Sequence, residues 1–79
     1  MIHKKVIGIF GSSFDPIHIG HLRLVEKVQQ VMNFDEIRMV LTGRPPHKPN
    51  STISMEDRWH MLCLACKHID YLVPESFEK

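Results

Sequence analysis

The chain has 79 residues and a formal net charge of +1, from 10 Lys and Arg set against 9 Asp and Glu. Such a length holds at most one domain, and a 43% hydrophobic content makes it globular rather than disordered. No apolar run approaches the roughly 18 to 20 residues of a membrane span. The apolar stretch after the positively charged start stops too soon for a secretory signal. A near-neutral charge without a basic stripe argues against binding of long nucleic acid.

Val6 to Phe10 is a short β-rich apolar run and predicts a buried strand. Gly11-Ser12-Ser13-Phe14-Asp15-Pro16 is punctuation, and Asp15-Pro16 is a common turn pair. From Ile17 to Met32, the apolar residues Leu22, Val25, Val28 and Met32 recur every three or four positions, which predicts an amphipathic helix stopped by Asn33. Ile37 to Thr42 predicts a second strand. Three prolines between Gly43 and Asn50 make that stretch a loop. Ser54, with Asp57 three residues on, is a weak capping box for a second helix whose stripe is Met55, Trp59, Leu62 and Cys66. Ile69 to Val73 predicts a third strand closed by Pro74. The order β-α-β-α-β implies a parallel sheet with right-handed crossovers. The expected class is therefore α/β, Rossmann-like and three-layered (α/β/α), with this chain supplying half of the sheet.

Ligands of open α/β sheets bind beyond the carboxyl ends of the strands. The first loop there carries Gly11, Ser12, Ser13, Asp15, His18, Gly20 and His21. His18 and His21 are three apart in the first turn of a helix, so they share a face. The helix N-terminus adds unpaired N–H groups and partial positive charge. Gly11 lets backbone approach a ligand, and Gly20 leaves room between the two imidazoles. Two imidazoles at a helix terminus suit a polyphosphate, and its affinity is expected to rise on mild acidification as histidines charge below roughly pH 6.5. A zinc pair on a helix favours i,i+4 spacing and needs further ligands, and no third ligand is evident nearby, so no metal site is assigned. Cys63 and Cys66 sit late in an apolar helix and read as core rather than as a redox pair. Two cysteines in an untargeted chain place it in a reducing, cytoplasmic setting. Trp59 reads as core, and Arg58 as either a phosphate ligand or a surface residue.

Gly8-Ile-Phe-Gly-Ser-Ser-Phe-Asp-Pro-Ile-His-Ile-Gly-His-Leu22 resembles the opening of the nucleotidyltransferase superfamily with the His-x-Gly-His signature. Pro45-Pro-His-Lys48 and Glu56-Asp-Arg-Trp-His-Met-Leu62 are similar to bacterial nicotinate-nucleotide adenylyltransferases. The resemblance implies adenylyl transfer from ATP to nicotinate mononucleotide, giving deamido-NAD and pyrophosphate, with Mg²⁺ arriving on ATP. It implies that His18 and His21 are the catalytic pair holding ATP phosphates. Gly11, Ser12, Ser13, Phe14, Gly20, His47, Lys48 and Arg58 would line the ATP and substrate pocket. The family usually shows Gly-Gly-Thr where this chain has Gly11-Ser12-Ser13, and its C-terminal Ser/Thr-rich motif ending in Ile-Arg is absent. Residues 1–79 are accordingly expected to be the N-terminal portion of one nucleotidyltransferase domain, inactive or impaired alone. The alternatives are a phosphopantetheine or cytidylyl transferase of the same superfamily, and a non-catalytic nucleotide-binding module that forms a homo-oligomer.

Overall fold

The computed structural model describes residues 4–43 and 53–76. Its elements are β1 (Ile7–Ser12), α1 (Ile19–Met32), β2 (Glu36–Leu41), α2 (Met55–Lys67) and β3 (Leu72–Ser76). The strands form one parallel sheet in the order β1-β2-β3. This is the expected β-α-β-α-β unit of a Rossmann-like α/β fold.

Register decides which residues share a face. Ile37 stands beside Gly8 and Leu72, Met39 beside Phe10 and Pro74, and Leu41 beside Ser12 and Ser76. On this face Ile37, Met39, Leu41 and Leu72 are buried together with Val25 of α1 and Leu62 and Cys66 of α2. The opposite face carries Ile9, which is 74% exposed, and the charged residues Glu36, Arg38 and Glu75. Of the three expected layers, the described residues therefore build two. Both crossovers step the same way along the sheet, and right-handed crossovers that do so lay both helices on one face.

Both helices start and stop on local signals. Ser54 caps α2, its hydroxyl accepting the Asp57 N–H at 3.0 Å. Asn33 ends α1 in the left-handed conformation, its N–H donating to the Gln29 carbonyl at 2.8 Å. The Gln29 side chain also brackets the next residue. Its amide donates to the Phe34 carbonyl at 2.8 Å and accepts the Phe34 N–H at 2.9 Å. This clamp presses the Phe34 ring onto Gly8, where a Cβ would lie 2.9 Å from the ring.

Two expectations are corrected. Pro74 was expected to close β3 but lies inside it. The Ile37 N–H donates to the Tyr71 carbonyl, a phase that turns the amides of residues 73 and 75 towards β2 and that of residue 74 away, so the missing proline N–H costs no ladder bond on β3, which β2 borders on one side. The α1 stripe is buried only in part. Val25 is covered and Leu22 packs on the core, but Val28 and Met32 are exposed, because β1 borders nothing beyond it among the described residues.

Candidate functional site

The first loop leaves β1 at Ser12 and enters α1 at His18, at the carboxyl end of the sheet, where strands hand over to helices. Gly11 and Ser12 end β1, Ser13 and Phe14 form the loop, Asp15 and Pro16 occupy a turn, His18 caps α1, and Gly20 and His21 lie in its first turn. His47 and Lys48 lie outside the described residues.

The two histidines are each other's scaffold. The His18 ring nitrogen Nδ1 accepts the Gly20 N–H at 3.0 Å, and His21 Nδ1 accepts the His18 N–H at 3.0 Å. Their ring centroids lie 4.0 Å apart. Glycine at position 20 is a steric requirement of this arrangement, because a Cβ there would meet the His18 ring at 2.7 Å. With both Nδ1 atoms accepting backbone amides, each neutral ring carries its hydrogen on Nε2. The pair therefore offers two Nε2–H donors to a ligand.

This revises how the helix terminus contributes. The Gly20 amide serves His18 Nδ1, and the His21 amide serves the His18 carbonyl at 3.0 Å. Those two amides are spent on capping, so the imidazole donors join the helix's partial charge and stand in for the Gly20 and His21 N–H groups. Gly11 owes nothing to packing, which leaves the close approach of a ligand as its expected reason. A Cβ there would make only ordinary contacts with Thr42 and Val40, so the fold itself does not demand glycine at that position.

His21 is held from behind by aromatic rings. Phe14 meets it edge-on at 5.1 Å, Phe10 lies 6.1 Å away, and Phe10 and Phe14 contact each other at 5.6 Å. Burial, and secondly the charge of His18, push the His21 pKa below the ordinary histidine value. Phe14 itself is fully buried although its φ is 41°, a left-handed conformation that costs a bulky residue on the order of 1–2 kcal/mol. Its ring is thus a core anchor of the loop, and its N–H is engaged by the Ser12 hydroxyl at 3.2 Å, so Phe14 supports the site from beneath.

Arg58 is neither a surface residue nor an open ligand contact. It is 2% exposed, and its Nη1 donates to the Ser13 carbonyl at 2.8 Å. Its Nε is buried without a partner. The spacing of Arg58, Leu62 and Cys66, four residues apart, places it on the buried side of α2. That i,i+4 relation to Leu62 was visible in the sequence and is the signal that finds it. The cysteines are core: Cys66 is buried, and burial followed by the neighbouring Cys63 pushes its thiol up to about 11. A thiol held that far above neutrality is unreactive.

Among the described residues, no three His, Cys, Asp or Glu side chains converge as a metal cage. An apolar cavity of about 320 Å³ between β1 and α1, lined by Phe10, Leu24, Val25, Val28 and Phe34, contains neither histidine. No helix among the described residues is long and apolar enough to cross a membrane.

Over residues 9–79 the chain matches the model of the cytidylyltransferase-like family. It is 42% identical over 74 residues, 94% of its length, to a protein of Pseudomonas fluorescens named a probable nicotinate-nucleotide adenylyltransferase, of which it covers 35%. Proteins of the same name from Oceanobacillus iheyensis and Shewanella woodyi are 46% and 43% identical over 77% and 76% of this chain, which covers 32% and 29% of them. The chain thus spans about a third of the length of these curated relatives.

Proposed function

Because the chain belongs to the cytidylyltransferase-like family, we propose that its first loop and α1 terminus bind the polyphosphate of ATP for adenylyl transfer to nicotinate mononucleotide. The observation that carries this reading is that His18 and His21 each accept a backbone amide on Nδ1, which leaves an Nε2–H donor on each neutral ring. A phosphate oxygen of the mononucleotide attacks the α-phosphorus of ATP, the bond to the β-bridging oxygen breaks, and pyrophosphate leaves with the electron pair. Such a step asks the protein for position and for stabilisation of charge on the phosphates. Preorganised Nε2–H donors meet the second requirement without reorganising during the reaction. Mg²⁺ would come with ATP and neutralise phosphate charge there, since among the described residues no carboxylate, histidine or cysteine cluster would hold it apart from the nucleotide. The free, buried Cys66 fits a reducing cytoplasm. The relatives' shared name, and the Pro45-Pro-His-Lys48 sequence, favour nicotinate mononucleotide over phosphopantetheine as the acceptor.

Binding and transfer are tested separately. Calorimetry with pyrophosphate and with Mg-ATP is expected to show binding that the double change His18→Ala, His21→Ala weakens by roughly a hundredfold or more, as for two lost hydrogen bonds to a charged group. Unchanged affinity in the double variant refutes the phosphate site. Pyrophosphate release is then compared with nicotinate mononucleotide, nicotinamide mononucleotide and phosphopantetheine as acceptors. The first is expected to be preferred, and a clear preference for phosphopantetheine would move the reading to the sister branch of the family.

A further inference from the structure

Arg58 combines three observations that surface or core packing does not explain. It is 2% exposed, no carboxylate among the described residues pairs with it, and its Nε donor is buried without an acceptor. An unpaired buried guanidinium is expensive, so its position requires something in return. Its one oxygen contact is the Ser13 carbonyl at 2.8 Å, a bond that spans 45 residues of sequence and ties α2 to the first loop. A contact of Nη2 with the Met55 sulfur at 3.8 Å steadies the side chain along its own helix.

The Ser13–Phe14 peptide is pinned at both ends. Arg58 holds its carbonyl, and the Ser12 hydroxyl accepts its N–H at 3.2 Å. The residue after it, Phe14, holds φ at 41° and carries the ring that backs His21. A carbonyl oxygen turned towards incoming phosphate would repel it. Arg58 turns that oxygen inward and leaves its own cationic charge behind the loop.

We propose that Arg58 is a positioning residue of the anion site, a buried cation that draws the Ser13 carbonyl away from the ligand and sets the loop on which His21 is backed. The inference rests on the phosphate-site reading above and assigns Arg58 no contact with ATP. Lysine at this position keeps charge and a long stem but loses the planar fork, and methionine keeps the stem alone.

The test is pyrophosphate affinity by calorimetry in the unmodified chain, Arg58→Lys and Arg58→Met, with the amide resonances of Gly11 to Phe14 followed in the same samples. Arg58→Met is expected to weaken pyrophosphate roughly tenfold or more, as for one misplaced hydrogen bond to a charged group, and to shift the Ser13 and Phe14 amides, with Arg58→Lys intermediate in both. A folded Arg58→Met that binds as the unmodified chain does overturns this inference and leaves the histidine site standing. Absence of pyrophosphate binding in the unmodified chain overturns both. Should Arg58→Met fail to fold, Arg58→Lys decides: unmoved amides and unchanged affinity refute the role, whereas partial loss of affinity with displaced loop amides supports it.

Discussion

His21 is pulled two ways. Phosphate would favour its charged form, yet burial against Phe10 and Phe14, with His18 4.0 Å away, favours the neutral one. The His21 midpoint, followed by its ring proton resonances, is expected to lie below that of an unstructured histidine in the free chain and to rise when pyrophosphate is added. Since the folded chain resists protonation that the unfolded chain accepts near pH 6.5, His21 contributes stability that is present above that pH and is lost as pH falls towards its folded midpoint. Charging His21 would also place a hydrogen on Nδ1, the atom that accepts the His18 N–H, so the gain in phosphate affinity on acidification costs that cap and ends at the free midpoint. A His21 midpoint at or above the ordinary value would contradict the burial seen here. At this scale the sequence showed which residues gather, but not how. The His-x-Gly-His spacing put both imidazoles at one helix terminus, whereas their use of Nδ1 as caps depends on ring rotamers that spacing does not specify.

Between elements, the informative contact is Gly8 with Phe34. Position 8 belongs to the covered face, opposite Ile37, and a methyl group there would meet the clamped ring at 2.9 Å. The ring cannot swing aside cheaply, because Gln29 holds the Phe34 backbone by both its N–H and its carbonyl. Gly8→Ala is therefore expected to destabilise the chain by about 1–3 kcal/mol through overpacking, read as a lowered urea midpoint. Phe34→Leu in the same chain should restore part of the loss, and a neutral Gly8→Ala would show that the ring is not held. The element order and the α2 stripe were legible in the sequence because period and punctuation agree there. Pro74 misled because its cost depends on which way its missing N–H would point, and that follows from ladder phase. Arg58 misled because its charge argued for water while its spacing from Leu62 argued for the interior.

Across the whole molecule the sheet has two unlike faces. On one, Met39 and Leu41 are completely buried beneath α1 and α2. On the other, Ile9 is 74% exposed beside a chain of ion pairs running from Lys5 to Glu36, Arg38 and Glu75 at 2.9, 2.8 and 2.7 Å. The side-chain bonds from Lys5 and Arg38 hold the Glu36 carboxyl below its usual range. These pairs flank Val40 and Val73 with charge on the β2–β3 half of that face, whereas Ile7 and Ile9 make its β1 edge apolar. Hydrophobic stabilisation scales with area removed from water, so the two faces should respond very differently to substitution. Met39→Ala is expected to cost about 2–5 kcal/mol, enough to unfold much of a chain this small. Ile9→Thr should stay within about 0.5 kcal/mol, as exposed positions do. Urea midpoints of the two variants measure the contrast directly. Equal losses would mean that Ile9 is covered in solution, and the face that carries it would then count as interior.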